Sequence, residues 1–587
     1  MKYPALNELA TSREMIDIFA GYNHNLRIGD GEFYDMKNLS SDTYPVLSPR
    51  KPRGSYALPT NPQGMISKDS ICYVDGEKFI INEYPNAFPD LKLSTDPEDC
   101  PKTLVSMGSY VVILPDKVWV NTQSEDKKSF KWGYIEASVT TKEGASVKFE
   151  HCKLDGTAYE GVVVGATAPS EPKDLQYWID TSNIPHTLKQ YSKTHTQWTA
   201  VATTYIKISS AGSNMKESFA EGDGVTISGI TVEALKDLNS TMVIQGIGED
   251  YIIVIGIIDE VASQSTPITI KRQMPEMDFV IESGNRLWGC KYGIALNGEV
   301  VNEIYASKLG DFKNWHCYAG ISTDSYAVTV GTDGQFTGAI THLGYPHFFK
   351  EGCMHKVYGN YPANFQVQTT PCRGVQKGCS RSLAIVNETL FYKSRSAICA
   401  YDGSLPSEVS SALGDVPYSN AVAGALGNKY YVSMMDAEEK YHLFVFDTAR
   451  GMWHKEDNTQ VVEFCNCRGD LYYIEGNQIK TIRGNDTEKI EWMAETGIIG
   501  MDFADKKYIS RLDVRMSLTF GAKVYFYVEY DSEEGWEHLY TMAGTTLKSF
   551  AVPIRPKRCD HLRLRIVGEG DARIYSICKT IEQGSDM

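Results

Sequence analysis

Phe444-Val445-Phe446-Asp447-Thr448-Ala449-Arg450-Gly451-Met452-Trp453 decides how the rest of the chain is read. An outgoing apolar strand ends in an aspartate, whose carboxylate can bond its own backbone and turn the chain. A glycine follows, then a tryptophan large enough to fill the gap between two stacked sheets. This is the turn from third to fourth strand of a β-propeller blade. It recurs where Asp311 is followed by Trp315. Hairpin centres near residues 285, 387, 427 and 469 are spaced like the ~40–50 residues of propeller blades. The first interval is about double, which leaves room for one more blade around 325–360.

Outward from that segment, period-2 alternation dominates. Leu512, Val514, Met516 and Leu518 alternate with Arg511, Asp513, Arg515 and Ser517, and Leu562, Leu564 and Ile566 with His561, Arg563 and Arg565. Leu443, Val445 and Asp447 alternate with His442, Phe444 and Phe446. Successive side chains leave opposite faces of a strand, so this pattern predicts half-buried strands. Turn residues split apolar half-strands at Asp75-Gly76, Gly108-Ser109, Gly284-Asn285, Asn387-Glu388, Gly427-Asn428 and Arg468-Gly469, as hairpins require. Helical periodicity is confined to two short candidates, Ser12–Phe19 and Thr231–Leu238.

The chain therefore reads as all-β: a β-propeller of about six to eight blades with an inserted small β domain and a C-terminal β-sandwich. Residues 1–124 read as an N-terminal arm and the first blades. Residues 125–270, richer in Thr, Ser and Gly and carrying the linker Ala168-Pro169-Ser170-Glu171-Pro172, read as the insertion. Residues 271–489 read as the remaining blades and 490–587 as the C-terminal domain.

The 587 residues carry 58 Lys+Arg against 74 Asp+Glu, a formal net charge of -16, and the densest basic group is only Arg50, Lys51 and Arg53. Tight nucleic-acid binding, which needs a basic footprint, is not expected. No apolar run of about 18 residues predicts a membrane helix, and the N-terminus lacks a signal-peptide core. The 13 cysteines are scattered. Cys465 and Cys467 share one strand face and read as small buried hydrophobes, and the chain suits a reducing cytoplasm.

No P-loop, G-x-S-x-G elbow, H-E-x-x-H or paired zinc motif is present. Gly29-Asp30-Gly31-Glu32 and Gly222-Asp223-Gly224 read as tight turns, because the alternating carboxylates of a calcium loop are missing. Propellers also house glycosidases, which need two carboxyl groups facing one cleft. The sialidase repeat is broken here, since Gly310 precedes Asp311. An enzyme is set aside on these grounds, and neither cofactor nor metal is expected. The candidate ligand contacts are the aromatics Trp178, Tyr191 and Trp198 of the insertion, which would stack on sugar faces or else fill the core of a small module.

The stretch Phe19-Ala20-Gly21-Tyr22-Asn23-His24-Asn25-Leu26-Arg27-Ile28-Gly29-Asp30, running through Asn38-Leu39 to Tyr44-Pro45-Val46-Leu47-Ser48-Pro49-Arg50, resembles the opening of the nozzle or tubular (stabilisation) proteins of short-tailed bacteriophages. Asn285-Arg286-Leu287-Trp288-Gly289, Asn302 to Ser307 and Asp311 to Trp315 resemble that family's blade text, and Lys506 to Arg511 with Arg558 to His561 its downstream β domain. The resemblance implies a structural virion protein of a phage tail, assembled in the host cytoplasm. It implies a homo-oligomeric six-fold ring below the portal and adaptor, with tail fibres or spikes docked nearby. DNA would pass through the lumen without tight or sequence-specific binding, and an acidic wall would suit that passage. A glycan- or host-surface-binding tail adhesin is the alternative.

Overall fold

Seven antiparallel sheets stand side by side in a closed ring in the computed structural model, which describes residues 11–295, 298–484, 489–501, 506–533, 535–554 and 557–583. Blades 1 to 7 span 62–81, 103–134, 279–329, 336–371, 384–408, 419–455 and 463–481. The first strands of neighbouring blades pack along the axis, except that blade 4 meets blade 5 through the 3-10 turn Ser380–Ser382, and blade 7 lies against blade 1. The chain is an all-β propeller, and the space left around 325–360 is filled by blades 3 and 4. Six two-residue turns, at Gly108-Ser109, Gly284-Asn285, Leu343-Gly344, Asn387-Glu388, Gly427-Asn428 and Arg468-Gly469, join first to second strands and so share one mouth. Asn387 and Glu388 both take positive φ, the geometry that matches hairpin twist.

The turn-and-wedge segment behaves as its residues demand. Asp447 accepts the N–H groups of Ala449 (3.1 Å) and Arg450 (3.2 Å), and Gly451 follows at φ 68°. Trp453 is buried, and its indole donates to Val409 O of the blade 5 exit at 2.7 Å. Trp315 packs with Val105 and Met107 of blade 2 and Val280 and Leu287 of blade 3. In blade 6 the alternation reading needs correction. Leu443, Phe444, Val445 and Phe446 are all buried, because blades stack face to face and a middle strand has no solvent side.

The ring is latched by a strand from the other end of the chain. Gly54–Ala57 precedes blade 1 yet pairs as the outermost strand of blade 7, against Gln478–Thr481. Beside it Arg53 is buried, with Nη2 2.7 Å from Glu456 and 2.9 Å from Asp457, and Nη1 donating to Thr459 and Tyr473. Burial works against this guanidinium's charge, but Asp457 and Glu456 outweigh it and raise its pKa. Gly484 is obligatory at the latch, since a Cβ there would lie 2.0 Å from the Gly54 nitrogen.

The insertion leaves after blade 2 and returns before blade 3. Two sheets, built from strands between Ala137 and Arg272, share a core of Val147, Phe149, Ile206, Val225, Ile252 and Ile270. A smaller sheet of Val163–Gly165, Tyr177–Asp180, Thr187–Ser192 and Gln197–Ala200 hangs from it. Asp223 is more than a turn residue. It is buried, paired with Arg272, and accepts from Asn314 of the blade 3 connection at 2.8 Å. That contact, with Lys308 donating to Gly222 O at 2.8 Å, clamps insertion to propeller.

The described N-terminal residues, from Thr11, pair with both the propeller and the C-terminal domain. Gly21–Tyr22 pairs both with Trp453 of blade 6 and with Glu32–Lys37, which continues onto Glu491–Thr496 of the C-terminal domain. Ser12–Phe19, expected as helix, is instead the strand Thr11–Ile16 paired with Ala572–Gln583. Tertiary pairing overrides a weak local propensity there. Thr231–Leu238 contains only the 3-10 turn Glu233–Leu238. In the C-terminal domain, where the expected sandwich is one continuous sheet, the 24-residue strand Lys507–Tyr530 pairs first with Ala572–Gln583, then with Leu562–Glu569, and along its other side with Glu537–Val552. Its alternating residues Leu512, Val514 and Met516 are buried as the pattern requires.

Candidate interaction sites

The structure brings the three predicted aromatics of the insertion together. Trp178 and Trp198 meet edge to face at 5.4 Å, and Tyr191 lies 5.3 Å from Trp198. Strand register explains this, since Tyr191 stands directly opposite Trp198 and Trp178 lies on the adjoining strand. Trp178 is only 5% exposed. Its indole donates to Gly165 O at 2.8 Å, and Lys189 sits 5.0 Å above its ring while pairing with Asp180 at 2.7 Å. Tyr191 and Trp198 are half-buried, so these two offer aromatic surface to solvent, with Trp178 as their support.

The central axis holds one conspicuous acid. Glu463 starts the first strand of blade 7 and accepts the Met65 N–H of blade 1 at 2.9 Å. Burial pushes its carboxyl above the ordinary range, and the attraction of Arg381 from the entry to blade 5 only partly offsets this. Arg381 itself donates to Val462 O at 2.9 Å.

Two clefts lie where propeller, N-terminal segment and C-terminal domain meet. One, of about 390 Å³, is lined by Lys51, Lys429, Arg450 and Arg483 among others, and its neighbour of about 480 Å³ by Lys489, Phe520 and Arg573. Lys429 is paired with Asp42 at 2.6 Å, and Arg450 lies 4.7 Å over the Tyr44 ring. The group is locally basic in an acidic chain. Sequence reading missed it because its cations come from residues 51, 429, 450, 483 and 573, and no local run betrays them. Conversely, the basic group that was legible, Arg50 to Arg53, is largely spent on internal pairs with Glu456 and Asp457.

All 13 cysteines are free thiols, and Cys467 is buried beside Cys465. Among the described residues no group of three or more His, Cys, Asp or Glu is placed to hold a metal ion, and no helix is long and apolar enough to cross a membrane.

No family model matches the chain, and no curated protein matches it. Solved structures do. An exo-β-1,3-galactanase of Phanerochaete chrysosporium is 7% identical over 51% of this chain and 94% of its own, with a TM-score of 0.21. A glycoside hydrolase engineered to display both endo-xylanase and exo-arabinofuranosidase activity is 9% identical over 52% of this chain and 96% of its own, at 0.20. The extracellular domain of a hybrid two-component system from B. thetaiotaomicron is 8% identical over 92% of this chain and 98% of its own, at 0.16. The exclusion of an enzyme on sequence grounds is thereby corrected: the similar structures include glycoside hydrolases, and the missing sialidase repeat does not rule that class out. At such identity and TM-score they lend this chain neither a substrate nor a catalytic residue.

Proposed function

We propose that the chain is a ring-forming structural subunit of a bacteriophage tail, a virion protein assembled in the host cytoplasm. Copies would join in a six-fold ring below the portal and adaptor, with fibres or spikes docked outside and DNA leaving through the lumen. The observation that supports this reading is the place of the stretch on which the family resemblance rests. Residues 19–50 run from the C-terminal domain across blade 6, so the most distinctive text of the chain ties its two largest parts into one sheet. A subunit that must transmit load through a ring needs such a joint, because packed sheets deform little. The acidic balance of -16 agrees with a wall past which DNA slides. Negative-stain microscopy of the purified chain at high concentration tests the proposal: closed rings with an open pore are expected, and monomers at every concentration would sink it.

The adhesin reading is favoured by one observation, the half-buried pair Tyr191 and Trp198 on a module that projects from the insertion. Glycan-array binding that vanishes in Trp198→Ala while the module stays folded would turn the assignment toward it.

A further inference from the structure

The seam between blades 4 and 5 encloses two histidines. His342 ends the first strand of blade 4, Phe336–His342, and His347 lies in its second, Tyr345–Lys350. Register sets His342 opposite Tyr345 and Ile340 opposite His347, so the two imidazoles leave one face of the sheet as diagonal neighbours. Their ring centres are 5.7 Å apart. Tyr401 of blade 5 packs against both, its ring centre 5.5 Å from that of His342 and 5.8 Å from that of His347. Exposure is 2% at His342 and 0% at His347.

Hydrogen bonding fixes both tautomers. His342 Nε2 meets the Glu388 carbonyl at 2.6 Å, and His347 Nδ1 meets the Tyr345 carbonyl at 2.9 Å. A carbonyl oxygen only accepts, so each of these nitrogens carries the ring proton. His342 Nδ1 and His347 Nε2 are therefore bare lone pairs. Both are buried, and among the described residues neither has a hydrogen-bond partner. An imidazole whose other nitrogen donates to a carbonyl is the form that binds metals, because that bond orients the ring and raises its basicity. Burial pushes His347 down to about 4, so it stays unprotonated at neutral pH.

The donor set selects the ion. A metal–nitrogen bond of about 2.0 Å puts an ion roughly 3 Å from a ring centre, so rings 5.7 Å apart can hold one ion between them. Among the described residues no third His, Cys, Asp or Glu completes a set with these two. The neighbouring charges, Lys356 acting on His347 and Asp402 on His342, are of opposite sign and offset one another. Desolvation costs an ion more steeply than its charge, which counts against a divalent metal between two neutral donors. Monovalent copper accepts imidazole and needs only two ligands. We infer that His342 Nδ1 and His347 Nε2 form a two-coordinate site for a Cu(I) ion beneath Tyr401. The Leu343-Gly344 turn between their strands lies at the propeller mouth with Leu343 50% exposed, which gives an ion a short way in. The inference is independent of the ring reading.

The test uses the full chain with its accessible thiols first alkylated, since free cysteines also bind this ion. It is titrated anaerobically with Cu(I) against a bicinchoninate competitor and then desalted. One retained equivalent is expected, with two nitrogen ligands and no sulfur in its X-ray absorption spectrum. His342→Leu and His347→Leu should each keep the native circular dichroism and weaken binding by about 100-fold or more. Binding unchanged in either variant overturns the inference. So does a result on the unaltered chain alone: no ion retained, a sulfur shell around it, or Zn(II) held as tightly as Cu(I). These last readouts decide the matter even if a variant fails to fold.

Discussion

The propeller and the C-terminal sheet are built from the same antiparallel strands, and they treat their edges in opposite ways. Each blade ends in a short strand, from two residues in Ser407–Glu408 to six in Gln366–Pro371, and blades 6 and 7 are capped further by Gly21–Tyr22 and Gly54–Ala57. The C-terminal sheet ends in a 16-residue strand with little on it to discourage a partner. Closing a ring removes the axial edges at a cost: every blade must be wedged, latched and buried on both faces, so polar groups such as His347 and His355 end up in the interior. In the open sheet no strand pairs, among the described residues, with the outer side of Glu537–Val552. Stability therefore concentrates in the propeller, and readiness for contact in the C-terminal domain.

Acid should break that comparison most strongly. Burial pushes His347, His355 and His454 down to about 4. Below pH ~6.5 the unfolded chain takes up protons that the fold refuses, so this stability is intact above ~6.5 and drains away as pH falls toward 4. Each fully shifted histidine is worth roughly 3 kcal/mol. Hydrogen exchange at pH 7 and pH 5 should show blades 4 and 6 losing protection before Lys507–Tyr530 does; the reverse order would refute the contrast. Trp453→Ala comes next, with an expected loss of about 3–5 kcal/mol from the cavity between blades 5 and 6, read from urea unfolding. Arg53→Met leaves Glu456 and Asp457 with only the more distant Arg50 as counter-charge and should cost about 3 kcal/mol, with most of it recovered when both carboxylates are made amides. At the small end, Phe520→Ser and Met15→Ser should move stability by no more than about 0.5 kcal/mol in dilute protein. A larger drop would mean that these edges are already part of the fold.

The legible parts of the molecule are those whose chemistry is local. Asp447 and Trp453 lie six positions apart and announce a blade turn by themselves, as Leu512, Val514 and Met516 announce a strand with one wet face. Phe444 and Phe446 misled, because burial on both faces is decided by the neighbouring blade and not by the strand's own period. Ser12 to Phe19 misled for a similar reason: six residues of weak preference become a strand only when Ala572–Gln583 lies alongside. The aromatic trio was half legible. Its members could be named, but only strand register set them on one face, and only packing left Tyr191 and Trp198 half-buried with Trp178 covered. Glu463 gave no sequence signal, since its surroundings come from Met65 and Arg381 on other blades.

By itself the order of residues determined that this chain makes short antiparallel strands, turns them with glycine, asparagine and aspartate, and wedges them with tryptophan, because backbone dihedrals and alternation act within a few residues. Only the tertiary structure decided that there are seven blades, that residues 54–57 latch the last of them, and that Thr11–Ile16 pairs with Ala572–Gln583 at the far end of the chain. Those outcomes depend on contacts between segments hundreds of positions apart, and the loop entropy and packing that select among them leave no mark in any short window of sequence.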